Sequence, residues 1–555
     1  MLDPVKATDS PFSALGRVTM QTVGRLNGAS WVLGDQTRVE YNAYGEVAKR
    51  GVNGLWQEQY NYDKAGRVWK ANDGDGVAKL YFYDAEGNQT LGIASSGTDL
   101  SGKTEATALA LVASATGSAS AGLTVTINVY DKRNQSSQTR ALFRQTSSST
   151  TITAINSRTY NAFGEVATEV APLQIVDANG NAAVTTYTYN TLGKLVMSES
   201  PYVNWTSDSG AIGIARPTRL NYYDLAGRLI GVRDANGRLS TRTLLAGTGH
   251  GDAEALVLKE FHADDGIFER KYNIFGDMRF TSNEIAKTEN YVYDGMGRLI
   301  EQDHQLRGSV QLKDFYEYDG LGQRTRHWIG QLGTTIATND IASYVDKTDY
   351  DMQGRVISTI DSGGNATSYG YSFDTSLATG SLGTFGAWVK TTTNTAGKAQ
   401  VEKIDYFGRT IDRVDYGGHD YNFTFDVAGR LTGRTSDAGE TATYGYFNSG
   451  LIASSATSYD NGGYRASNTT TYRYDAAGQR VFEGYSISGA YTQNTTGGLI
   501  TYAVAQDTNV TRDALGRMIS LNGTTGTGTE PITIVWEYDL NGNIRHMANY
   551  GIELR

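Results

Sequence analysis

The sequence predicts an all-β protein built from stacked β-hairpins that add edge to edge into one long antiparallel sheet. Three observations predict it. The stretch Tyr60-Asn61-Tyr62-Asp63-Lys64-Ala65-Gly66-Arg67-Val68 returns in near-copies along almost the whole chain. An interval of 21 residues recurs, from Tyr41 to Tyr62, Tyr62 to Tyr83, Tyr272 to Tyr293 and Asp405 to Asp426. Self-similarity at such a period marks a repeat architecture. Finally, 555 residues contain 65 glycines and 36 tyrosines but only 6 prolines, as expected if most turns carry glycine and most strands tyrosine.

Each copy reads as one hairpin. Tyr60 and Tyr62 are two residues apart and point to one face of a strand. Asp63 opens a type I turn, where its carboxylate reaches the backbone two residues on. Gly66 takes the left-handed position that closes such a turn, so Gly66, Gly227, Gly297 and Gly354 are expected at positive φ. Arg67 begins the return strand, within reach of Asp63 and of a neighbouring tyrosine ring. An isolated hairpin is marginal in water, so each unit needs its neighbours.

In chain order, a partial copy at Phe12–Arg17 precedes turns at Tyr41-Asn42, at Tyr62, Asp63, Gly66 and Arg67, and at Tyr83, Asp84 and Gly87. Residues 92–128 form an Ala/Ser/Thr-rich insertion, read as a surface loop, with a helix over Glu105–Ala113 as the alternative. Tyr130-Asp131 resumes the pattern with Asn134 in the glycine place, followed by the turns of Tyr160 and Tyr189. Residues 201–217, with Pro201 and Pro217, read as a loop. After Tyr223, Asp224, Gly227 and Arg228 comes a longer inter-repeat insertion, 242–270, in which Glu254–Phe261 reads as a strand or short helix. The most regular part holds Tyr293, Asp294, Gly297 and Arg298, then Tyr318, Asp319 and Gly322, then Tyr350, Asp351, Gly354 and Arg355. The series ends with Asp405, with Phe425, Asp426, Gly429 and Arg430, with a degenerate Tyr446–Gly450, with Tyr474, Asp475 and Gly478, with Asp513, and with Tyr538, Asp539 and Gly542. One repeat body over 1–555 fits better than several globular domains.

Composition narrows the function. There is no cysteine, hence no disulfide and no thiolate metal site. The net charge of −10, with dispersed basic residues, argues against a nucleic-acid partner. Met1–Ser30 holds no signal-peptide pattern, and no run of 18 apolar residues is present to span a membrane.

Candidate chemistry is sparse. The turn aspartates recur with the turns, whereas a catalytic residue is singular, so they read as structural. Gly247-Thr248-Gly249-His250-Gly251-Asp252 has glycine, His and Asp together, but no phosphate-loop context and no second histidine at ligand spacing; it reads as a tight loop. Asn72-Asp73-Gly74-Asp75-Gly76 resembles part of a calcium loop, with Tyr83 where the twelfth-position glutamate belongs. The expectation is no catalytic residue, no metal and no cofactor.

The Tyr-Asp-x-x-Gly-Arg motif at about 20-residue spacing, in a dozen or so copies, resembles the Rhs/YD-repeat family: bacterial Rhs polymorphic toxins, the B and C components of Tc toxin complexes, and the teneurin YD shell. The resemblance implies a sheet wound as a spiral into a hollow shell which, in the bacterial members, encloses a C-terminal toxic domain. It implies a non-enzymatic shell protein, secreted or at the cell surface, whose partners are an encapsulated toxin domain or other subunits of a toxin complex. The closing Asp-Pro-x-Gly-type segment and its self-cleavage are absent between Tyr538 and Arg555, so an open or partial shell is expected. A second reading is a surface binding module that holds a glycan or protein ligand through exposed aromatics.

Overall fold

A computed structural model describes residues 5–8, 13, 16–27, 30–114, 122–172, 176–249, 254–305, 311–331, 345–460, 464–492, 499–524 and 531–550. The chain is all-β: 40 strands join one antiparallel sheet. They pair as a meander, each with the next along the chain. Glu58–Tyr62 pairs with Val68–Ala71, that strand with Lys79–Tyr83, and so on to Ile544–Tyr550.

The motif explains the register. Tyr60 faces Ala71 and Asn61 faces Lys70, but Tyr62 faces Val68, a one-residue slip next to the turn. The same slip recurs at Tyr223, Tyr293, Tyr318, Tyr350 and Phe425. The Gly66 amide donates to the Asp63 carbonyl (3.1 Å), the Asp63 amide to the Arg67 carbonyl (2.9 Å), and Gly66 sits at φ 78°. This is a type I turn closed by a glycine bulge, a geometry that adds twist at every hairpin. Gly227, Gly297 and Gly354 sit at 76°, 77° and 78°, and Asn134 fills the glycine place at 61°.

Accumulated twist bends the strip back on itself. Gln57 meets Phe385, Arg409 meets Asp75, Asn448 meets Leu123, and Thr206 meets Glu537. Partners in such contacts lie 303 to 353 residues apart. One coil of the spiral therefore takes roughly 24 strands, a contour of about 115 Å at ~4.8 Å per strand, and a loop about 37 Å across. A single-sheet wall about 10 Å thick leaves an interior about 25 Å wide. The accessible surface agrees: it is 31133 Å², where a compact monomer of this mass exposes roughly 19,000 Å². Most strand residues are half-buried on both faces, as in a wall, and few are fully buried, as they would be in a filled core.

The two rims of the strip differ. Connections alternate between its edges, so every Tyr-Asp turn lies on one edge, here the motif rim. The other connections lie on the opposite rim. In the second coil the motif rim rests on the opposite rim of the first coil, and this joint is the seam.

Three sequence readings are corrected. Within 92–128, strands Gln89–Ser95 and Leu123–Tyr130 continue the sheet, and the helix Glu105–Ser114 forms between them instead of a plain loop. Thr104 caps it, its hydroxyl accepting from the Thr107 amide (3.3 Å). Leu100 and Ala108 join Leu80, Ile93, Leu123 and Val125 in the principal apolar cluster, so burial holds this segment. Residues 201–217 are not a loop: Val203–Thr206 and Ile212–Ala215 pair as a separate ribbon, with Val203 buried beside Ala183 and Ala514. In 242–270 the sheet runs on through Leu239–Leu244, Val257–Phe261 and Ile267–Tyr272, so strands take up most of this segment, and Glu254–Phe261 ends in a strand, not a helix.

Candidate functional site

The repeated turn forms a relay between neighbouring hairpins. Asp63 Oδ1 accepts the amides of Ala65 (2.8 Å) and Arg67 (3.0 Å), and its Oδ2 accepts Arg67 Nε (2.8 Å). Arg67 then reaches forward: Nη1 donates to the Asp84 carbonyl of the next motif turn (2.9 Å), and the guanidinium lies 4.7 Å over the Tyr83 ring. Tyr83 closes the loop by donating its hydroxyl to the Val68 carbonyl (2.8 Å). Arg298 with Asp319 and Tyr318, Arg430 with Phe447 and Tyr446, and Arg517 with Asp539 and Tyr538 repeat the same links. The motif residues thus join one hairpin to the next. The Arg228 amide and guanidinium hold the Asp224 carboxyl below the usual carboxylate range, and Arg298 does the same to Asp294. Both stay ionised acceptors in the ordinary pH range, unsuited to proton transfer.

At the seam the same parts point across coils. Arg409 keeps its pair with Asp405 (2.7 Å) but gives Nη1 to the Asp75 carbonyl (2.8 Å), and Arg355 gives Nη1 to Asp35 (3.2 Å). Asp35 also accepts the Trp388 indole N–H (3.0 Å). Gln57, 1% exposed, accepts the Val52 amide and donates to the Phe385 carbonyl (2.8 Å). Asn448 accepts the Gln145 amide (2.9 Å) and donates to the Leu123 carbonyl (3.1 Å). Farther along, Asn236 donates to Asp539 Oδ2 (2.9 Å). Desolvation pushes the Asp539 carboxyl up, but donors from Asn543, Asn236 and Arg545 outweigh it and bring the pKa down to about 2. Burial and the Glu58 carboxylate push the Tyr406 hydroxyl up to about 12.

The irregular candidates resolve differently. The Asn72–Gly76 loop is spent on the seam: Asn72 bonds Gln59 and Gln57, and Asp75 pairs with Lys79 (2.7 Å). In the glycine loop, Gly247 and Gly249 take φ 78° and 77°, while His250, Gly251 and Asp252 lie outside the described residues. His327 has both ring nitrogens on carboxylates, Asp314 (2.8 Å) and Asp346 (3.2 Å), and so lacks a free basic nitrogen. Among the described residues one group, His262, Asp264 and Glu284, brings three potential metal-ligand atoms within 4.8 Å of one another; all three side chains lie near solvent. A cleft of about 300 Å³ lies on the seam, lined by residues that include Gln57, Asn72, Leu100, Phe385 and Val427, and by Ser101, whose hydroxyl donates to Asp99 (2.8 Å). Sequence reasoning missed the seam residues Asp35, Gln57, Asp75 and Asn448. One of these contacts falls at a degenerate copy, Phe447-Asn448-Ser449-Gly450, but intact copies such as Asp405–Arg409 also meet the other coil, so motif spelling does not mark the seam.

No family model matches the chain, and no curated protein does. Solved Tc toxin structures are similar over nearly all of it. The crystal structure of TcdB2-TccC3-TEV has a TM-score of 0.45 at 13% identity, over 96% of this chain and 27% of that one. The Photorhabdus luminescens Tc holotoxin pore carrying a TccC3-D651A mutation gives 0.45 at 12%, over 95% and 32%. TcdB2-TccC3 gives 0.44 at 12%, over 97% and 33%. The chain therefore spans about a third or less of the length of these proteins.

Proposed function

We propose that the chain is a non-enzymatic scaffold, a section of shell wall whose concave side encloses a guest polypeptide. One observation carries the reading: a single sheet returns to its own edge after 303 to 353 residues and so bounds an interior instead of filling it. The motif residues support a structural role, since their polar atoms are engaged in turns, hairpin links and the seam. The similar structures include a Tc holotoxin pore and a TcdB2-TccC3 lacking its hypervariable C-terminal region. On this reading the guest is a toxin-type C-terminal domain, other subunits of a toxin complex complete the enclosure, and the protein acts outside the cell that makes it. Among the described residues no helix is long and apolar enough to cross a membrane.

The test is a small reporter domain fused behind Arg555 and exposed to protease. Protection that disappears when the seam is broken by Arg409→Met supports the enclosure. Equal cleavage of the reporter with intact and broken seams contradicts it.

A further inference from the structure

The motif rim is covered in the second coil and bare in the first. In the second coil the turn tips are buried against the opposite rim: Ala476 is 4% exposed and Ala514 6%. In the first coil the turn tips carry large apolar side chains in open solvent: Phe163, Leu192, Leu225, Phe275, Met296 and Leu321, with Phe163 90% exposed, whereas the second-coil tip Leu515 is 36% exposed. Together such tips leave on the order of 1,000 Å² of apolar surface, at ~150–250 Å² per aromatic ring. This surface is strung along the rim, one tip every second strand and so about 10 Å apart, and in sum it approaches one side of a standard interface.

What seats on this rim follows from the seam. There a motif tip rests on a glycine of the opposite rim: Phe407 packs over Gly76, so closely that a Cβ on Gly76 would lie 2.6 Å from the ring. The second coil has an opposite rim of its own. Its turns at Asp361–Gly364 and Asp415–Gly418 end in paired glycines, and the space over Gly364 and Gly418 is open. Ser362–Gly364, Thr395–Lys398 and Tyr416–His419 are exposed. One chain thus carries both halves of the joint it uses internally, each uncovered among the described residues.

We propose that the bare motif rim of the first coil docks the opposite rim of the second coil of another copy of this chain. The two copies associate head to tail through the contact that joins the coils within one copy. The two surfaces differ, so the interface is heterologous, and repetition extends a stack instead of closing a dimer.

The experiment is sedimentation velocity over a concentration series, with two surface variants of the full chain. One charges the tips (Phe163→Asp, Leu225→Asp, Phe275→Asp) and the other blocks the facing rim (Ser362→Arg, Thr395→Arg, Tyr416→Arg). All six positions lie at exposed turns, and unchanged circular dichroism confirms folding. The wild type is expected to form species that grow with concentration, and each variant alone to stay monomeric. An equimolar mixture is expected to stop at dimers, because only one intact rim of each kind remains. A wild type that stays monomeric throughout overturns the proposal and assigns the rim to a different chain. So does association that survives either triple substitution, or a mixture that fails to dimerise.

Discussion

Replacing Arg409 with methionine separates the two uses of one motif. In the seam its ion pair is dry, with the side chains of Arg409 and Asp405 11% and 0% exposed. Methionine keeps the stem but strands a buried carboxylate, a loss of about 3–5 kcal/mol. The low end applies, because Asp405 retains Thr379 Oγ1 (2.7 Å) and the amides of Phe407 and Arg409. The Asp75 carbonyl also loses its cross-coil donor, adding about 1 kcal/mol. The same change at Arg67, whose pair with Asp63 is 31% and 16% exposed, removes a weaker ion pair and a ring contact, together about 1–2 kcal/mol. Repeat arrays need not unfold as one unit, so the readout is local: hydrogen exchange at the Phe407, Arg409 and Gly76 amides. A combined loss of about 4 kcal/mol speeds exchange there roughly 700-fold, while Arg67→Met leaves those amides nearly unchanged. Equal, small effects from both substitutions would refute the seam as an energetic joint.

Three further outcomes follow from the same geometry. Gly297→Val meets no atom within 4 Å and carries only the left-handed penalty, about 1–2 kcal/mol. Gly439→Ala, also left-handed at φ 86°, drives its Cβ into the Asp460 carbonyl, so its melting temperature falls much further; comparable melting shifts contradict the assignment. Asp539 has its folded pKa lowered to about 2 from roughly 3.9 unfolded, so its stabilisation is complete above pH ~4 and fades as pH falls toward 2. Asp539→Asn should flatten that part of an acid titration of stability, and an unchanged profile counts against it. Tyr406 has its folded pKa raised to about 12 from about 10 unfolded. Its stabilisation is present below pH ~10 and lost as pH rises toward 12, and Tyr406→Phe should remove that alkaline loss.

Much of the fold was legible because it is written locally. Asp63, Gly66 and Arg67 form their turn from five local hydrogen bonds, and the same chemistry recurs wherever the spelling does. The link from Arg67 to Tyr83 was legible in kind, as an arginine over a neighbouring tyrosine. The seam was not, because its partners lie hundreds of residues apart and many of its acceptors are main-chain carbonyls, at Asp75, Leu123 and Phe385, that no side-chain pattern reveals. The Glu105–Ser114 helix was obscured for a different reason: its alanine-rich sequence has almost no amphipathic stripe, so the burial of Leu100 and Ala108 against the flanking strands leaves no pattern in the sequence. The Val203–Ala215 ribbon is too short to show alternation, and its place beside Ala514 is again a product of the coil.

The coil is tested most directly by a cross-link across the seam. The chain has no cysteine, so Thr124→Cys with Asn448→Cys adds the only two thiols. Thr124 Oγ1 donates to the Asn448 carbonyl although 324 residues separate them. With a short bis-maleimide the expected product is an intramolecular loop, seen as a mobility shift and one joined peptide pair by mass spectrometry. The pair Thr124→Cys and Ser362→Cys, with the second thiol on the far rim, should stay unlinked within one chain. Linkage at 124–448 no more frequent than at 124–362 would contradict the spiral.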